Sequence, residues 1–170
     1  NVIGGGDWAA DRLIPDIMKA VSKKEKVIIR NPSSTRPWQH VLEPLSGYLH
    51  LGEKLLRGEK DFAEGWNFGP RDDDVLSVGE ILGVIQKYWD EIEYEYQINP
   101  NAPHEAGSLK LDFSKARSML NWQPIWTIKD TIQSITNWYR DYYKRGAVNS
   151  IDDLERYVSD ASKLNVSWTQ

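Results

Sequence analysis

Asn1–Trp8, which reads Asn-Val-Ile-Gly-Gly-Gly-Asp-Trp, decides the fold class. Val2 and Ile3 followed at once by three glycines form the end of a buried strand that turns into a tight loop. In open α/β proteins ligands bind outside the carboxyl ends of the strands. Asn1 therefore stands where a side-chain amide can donate to a phosphate or a sugar hydroxyl, or cap the turn. Gly4-Gly5-Gly6 lacks the Gly-x-Gly-x-x-Gly spacing of a dinucleotide loop and is expected to be a hinge-like ligand loop instead.

Working outward, Leu13, Ile14, Ile17, Met18 and Val21 share one face of a helix, with Asp11 its expected cap. Arg12 falls in the opening turn. Free N–H groups and the positive dipole end favour an anion there, so an arginine is unfavourable unless an anion binds. A surface pairing with Asp11 or Asp16 fits Arg12 equally well. Val27–Ile29 is a short strand and Asn31-Pro32-Ser33-Ser34 a turn. Pro37 holds the preceding Arg36 extended, which projects a planar fork suited to two phosphate oxygens. A surface ion pair is the competing reading. Trp38–Val41 is a second strand. Glu43-Pro44 opens a helix whose expected apolar side is Leu45, Leu49 and Leu56, and Gly58 ends it.

Farther along, Trp66–Phe68 and Leu109–Leu111 are expected as strands, and Ile92–Ile98 as a half-exposed one. Ser77-x-x-Glu80 and Thr127-x-x-Asp130 are capping boxes that open helices. Asp112 caps a short helix that Asn121 closes in a left-handed conformation. Ser150-x-x-Asp153 starts a last helix, and the tail after Lys163 is expected to fray. Strands alternating with helices indicate an α/β class. The strands are few and short, so their neighbours are expected in a parallel sheet upstream of Asn1. The start at Asn, on a strand, is what a segment of a longer protein would show.

A net charge of -4 argues against a nucleic-acid partner, which calls for a clustered basic face. The absence of cysteine removes disulfides and thiolate metal sites and fits a reducing cytoplasm. No apolar run is long enough to span a bilayer. His40, His50 and His104 have no metal-ligand spacing. His50 is expected in solvent, His40 in a structural role, and Asp72-Asp73-Asp74 as a solvated loop.

These words resemble the C-terminal half of extended short-chain dehydrogenase/reductases that act on nucleotide-sugars, and within that group the 4,6-dehydratases, with cytidine the expected base. NVIGGGDW, DRLIPD at Asp11–Asp16 and TRPWQHVLEP at Thr35–Pro44 are the specific matches. LDFSKARSMLNWQP at Leu111–Pro124 and WNFGP at Trp66–Pro70 are shared more widely. The resemblance implies a substrate-binding half with a few strands of a Rossmann-type parallel sheet over residues 1–146, then a C-terminal helix and tail over 147–170. It implies that Asn1 and Arg12 approach the diphosphate and that the Val27 and Ile29 strand lies along the base. It further implies that Arg36 grips the diphosphate or ribose, that Asn67 lies near the substrate, and that Glu105 holds ribose hydroxyls. Where many relatives carry a second arginine clamp, this chain has Ala102, with His104 nearby.

The resemblance also implies an NAD-dependent reaction. Hydride leaves carbon 4 of the sugar, water leaves across carbons 5 and 6, and the hydride returns to carbon 6. The Tyr-Lys pair, the dinucleotide loop, every catalytic residue and the homodimer contact are expected in the missing half, so this chain alone is expected to bind a nucleotide-diphosphate sugar without turning it over. The alternatives are the same half of another nucleotide-sugar epimerase or reductase, and a non-catalytic assembly module.

Overall fold

A computed structural model describes residues 1–97 and 109–169. Strand β1 (Val2–Ile3) leads through the glycine turn to helix α1 (Leu13–Ser22), then to β2 (Val27–Ile29), β3 (Thr35–Arg36) and β4 (Gln39–His40). Helix α2 (Leu42–Leu56), β5 (Leu76–Ser77), α3 (Val78–Tyr88) and β6 (Tyr94–Tyr96) follow. The chain closes with α4 (Ser114–Leu120), α5 (Ile128–Arg145) and α6 (Ser150–Lys163). β1 pairs in parallel with β4, β2 in parallel with β6, and β3 antiparallel to β5. The architecture is α/β with small parallel sheets, a partial Rossmann-type arrangement.

The main core lies where α1, α3 and α5 close over β1 and β2. Ile17, Met18, Ile81, Ile85, Ile132 and Ile135 are almost wholly removed from water there, the positions that the helical periodicities single out. Both capping boxes form. Ser77 Oγ accepts from Glu80 N, and Thr127 Oγ1 from Asp130 N, each reciprocated by the acid. Asn121 and Gly146 end α4 and α5 in left-handed conformations, φ +51° and +67°.

Several expectations are corrected. Asp11 does not cap α1. It adopts φ +57°, and the extended Arg12 takes the cap position without a side-chain bond. Trp66–Phe68 and Leu109–Leu111 form no strands, although the Phe68 carbonyl is still held by Gln39 Nε2 at 2.8 Å. The strand expected over Ile92–Ile98 is confined to Tyr94–Tyr96, and Ile98 lies outside the described residues. Asp112 does accept from Ser114 N (2.7 Å), but α4 begins two residues later.

Helix α2 reverses its expected orientation. Leu45, Leu49 and Leu56 point outward, with Leu49 76% and Leu56 91% exposed, while Glu43, Pro44, Gly47 and His50 are buried. His50 is thus not in solvent. The reason is local. Gly47 lets Phe68 approach so closely that a Cβ would meet its ring at 2.3 Å, and Glu43 is drawn inward by three donors, two backbone N–H groups and a hydroxyl. Asp74 is likewise no solvated acid, since it accepts from Ile128 N at the head of α5 (2.9 Å). Through Thr169 the tail does not fray. Val166 is buried, and Trp168 stacks on Tyr157 with ring centroids 6.2 Å apart.

Candidate functional site

A cleft of about 710 Å³ opens between β1, the N-terminus of α1, strand β2 and strand β3. Asn1, Arg12, Val27, Ile29 and Arg36, drawn from three separate stretches of sequence, all line it. Asn67 does not. It is exposed in the segment after α2. Glu105, with Ala102 and His104, lies outside the described residues.

The cleft owes its shape to close packing at β1. The Asn1 carbonyl accepts from Gln39 N at 3.0 Å, which sets the register of β1 on β4. Gly4 packs on Val41 and Gly5 on the Trp138 indole, and Gly6 has φ +79°. The glycine turn is therefore a fixed element rather than a hinge, because only glycine leaves room for these neighbours. Tyr139 pins it from α5, its hydroxyl donating to the Asp7 carbonyl at 2.6 Å. That buried hydroxyl is pushed up to about 12, chiefly by desolvation. Trp8 closes the same corner, edge-on to Tyr139 with centroids 5.2 Å apart.

The N-terminus of α1 faces the cleft. Its first N–H groups have no partner within the helix and attract anions. Arg12 at that end lies 3.4 Å from Asp7, and its side chain is 63% exposed. Arg36 Nη1 donates to the neighbouring Thr35 carbonyl (2.8 Å), which holds one nitrogen of the guanidinium against the backbone of β3. Asp16, also on the rim, lies 3.4 Å from Lys19. The lining holds Arg12, Arg30 and Arg36 against Asp7, Asp11 and Asp16. The cleft is thus charge-balanced overall, with its acids gathered at the α1 side. Arg30 is a residue that the sequence reading missed. Val27 and Ile29 of β2 are buried in the core, Ile28 is exposed on the other face, and Arg30 is exposed in the bend that follows the strand.

Behind the cleft, where β4 meets α2, lies a second group of buried titratable residues. The Glu43 carboxylate, 1% exposed, accepts from Ile125 N (2.9 Å), Trp126 N (2.7 Å) and the Tyr157 hydroxyl (2.8 Å). Burial outweighs these bonds and raises its carboxyl to about 7. His40 lies against the Trp126 ring (4.8 Å) and accepts from Leu42 N at 3.3 Å. Burial, helped by the charge of Arg156, lowers its imidazole to about 4. This group ties α2 to α6 and the turn before α5. Among the described residues no cluster of three or more His, Asp or Glu side chains is arranged to hold a metal, and no helix is long and apolar enough to cross a membrane.

No protein-family model matches the chain. It is 49% identical over 144 residues, 85% of its length, to the CDP-glucose 4,6-dehydratase of Salmonella typhimurium, of which it covers 40%. Its fold matches that of dTDP-glucose 4,6-dehydratase from Bacillus anthracis, solved with NAD (TM-score 0.67, 19% identity, 83% of this chain and 42% of that one). It also matches UDP-glucose 4-epimerase from Thermotoga maritima, solved with UDP-glucose (TM-score 0.68, 16% identity, 85% and 45%). The chain thus spans less than half the length of each of these proteins.

Proposed function

We propose that this chain is the nucleotide-sugar-binding part of a CDP-glucose 4,6-dehydratase, a lyase that forms CDP-4-keto-6-deoxyglucose and water from CDP-glucose. The observation that carries this reading is the convergence of Asn1, Arg12 and Arg36 on one cleft beside the N-terminus of α1. Such donors beside a helix N-terminus suit a diphosphate. The 49% identity to the Salmonella enzyme supports the substrate class.

In this reading the chain acts by position. Arg36 and Arg12 hold the diphosphate, and the fixed glycine turn sets the distance from phosphate to sugar. Holding the substrate in one geometry removes orientational freedom that would otherwise add to the barrier. The described residues offer no glycine-rich seat for NAD. We assign NAD and the proton-transfer groups to the remainder of a longer parent, with a homodimer formed there, and the whole to the cytoplasm. Glu105 keeps the substrate contact that the resemblance implies, whereas Asn67, outside the cleft, does not.

Titration of the chain with CDP, UDP and dTDP by calorimetry tests the reading. CDP is expected to bind, and Arg36→Ala to weaken it by roughly 1.5–3 kcal/mol, the range for a hydrogen bond to a charged group. An unchanged dissociation constant in that variant would return the chain to the class of assembly modules. Equal affinity for all three nucleotides would favour a broader epimerase or reductase assignment.

A further inference from the structure

We propose that Arg30 reads the base of the bound nucleotide and selects cytosine over uracil and thymine. This inference rests on the nucleotide-binding reading of the cleft and adds its specificity element.

Three observations lead to it. The first is placement. Ile28 lies on the exposed face of β2, Arg30 is exposed in the bend immediately after it, and both line the cleft. Ile28, 45% exposed, supplies an apolar shelf, and Arg30 ends it with a planar fork.

The second is availability. Arg12 is held by Asp7, whereas Arg30 forms no salt bridge with a carboxylate among the described residues. The third is rigidity. β2 is bonded along β6, with Gln97 N donating to the Ile29 carbonyl at 2.9 Å. The turn after Arg30 is pinned by Ser34 N to Asn31 O (3.3 Å), Gly79 N to Pro32 O (2.8 Å) and Val78 N to Ser34 O (3.0 Å). The backbone that carries the guanidinium is therefore fixed from both sides.

The chemistry gives the direction of selectivity. A guanidinium is only a donor. Cytosine presents two adjacent acceptors, N3 and O2, which match two parallel N–H bonds. Uracil and thymine carry a proton on N3, so donor meets donor. A bidentate contact of this kind discriminates between bases by roughly 5- to 150-fold.

The test is a calorimetric titration of the chain and its variants with CDP, UDP and 3-deaza-CDP, which lacks the N3 acceptor. The wild-type chain is expected to prefer CDP over both others by roughly 5- to 150-fold. Arg30→Met keeps the apolar stem and removes the fork. Arg30→Lys keeps the charge and loses the fork. Both are expected to bring the three affinities together by weakening CDP alone. If either variant weakens CDP and UDP by the same factor, Arg30 is a phosphate contact and the proposal fails. It fails as well if the preference survives in Arg30→Met, or if the wild-type chain binds CDP and UDP equally. In that last case the diphosphate reading stands. Wild-type binding of neither nucleotide overturns both.

Discussion

The indole of Trp138 lies directly on the backbone of Gly5, so that a Cβ at residue 5 would sit 2.4 Å from the ring. Trp138 is itself anchored, its Nε1 donating to Ser150 Oγ at 3.0 Å. The glycine turn next to the cleft is therefore braced by the far end of the chain and has little freedom of its own.

Gly5→Ala should destabilise the chain by about 1–3 kcal/mol, the range for overpacking a filled interior. Gly52, in the middle of α2 with open space where a Cβ would stand, is the control. Gly52→Ala should stabilise by about 0.5–1 kcal/mol through helix propensity. Urea unfolding of both variants checks the opposite signs.

Tyr139→Phe removes the hydroxyl that donates to the Asp7 carbonyl at 2.6 Å. A loss of about 1 kcal/mol is expected for one net hydrogen bond. Weaker CDP binding should accompany it, since the glycine turn loses its tether. Thermal unfolding with and without CDP separates the two effects.

His40 and Glu43 are expected to oppose each other in the pH dependence of stability. His40 is lowered from 6.5 to about 4. Its contribution is present above pH 6.5 and is lost as pH falls through about 4. Glu43 is raised from 4.5 to about 7. Its contribution is present below pH 4.5 and is lost as pH rises through about 7. Each is of order ~3 kcal/mol at 1.36 kcal/mol per pH unit. Between pH 4.5 and 6.5 their slopes largely cancel. Relative to wild type, Glu43→Gln should add a rise in stability with pH, and His40→Gln a fall. Parallel curves for all three proteins would refute this.

Asp7→Asn should tighten CDP binding by roughly 2- to 5-fold at low salt, the scale of an exposed ion pair. The variant releases Arg12 from its 3.4 Å partner and removes a negative charge from the rim. The gain should vanish in half-molar salt, where exposed charges are screened.

The sequence displays some of this architecture openly and conceals the rest. Ser77, Glu80, Thr127 and Asp130 announce their helices because a capping box is complete within four residues. Asn1, Arg12 and Arg36 can be picked out because proline, glycine and helix-start signals surround them. The face of α2 cannot be read in this way. Its leucines follow helical spacing, yet the inward side is chosen by Glu43, whose partners Ile125, Trp126 and Tyr157 are more than eighty residues away. Phe68 has the same difficulty, since it is held by Gln39 rather than by a strand ladder. Arg30 is harder to pick out, because it follows the end of β2 and only the fold brings it with Ile28 to the cleft.

The outward leucines of α2 determine how the purified chain tolerates precipitants. Sulfate is excluded from protein surfaces and makes wetted hydrocarbon more unfavourable. Ammonium sulfate should therefore bring the chain out of solution early, while dilute chloride buffers keep it dispersed. Lysine at positions 49 and 56 should move the salting-out point upward without altering the melting temperature, since Leu49 and Leu56 support nothing beneath them.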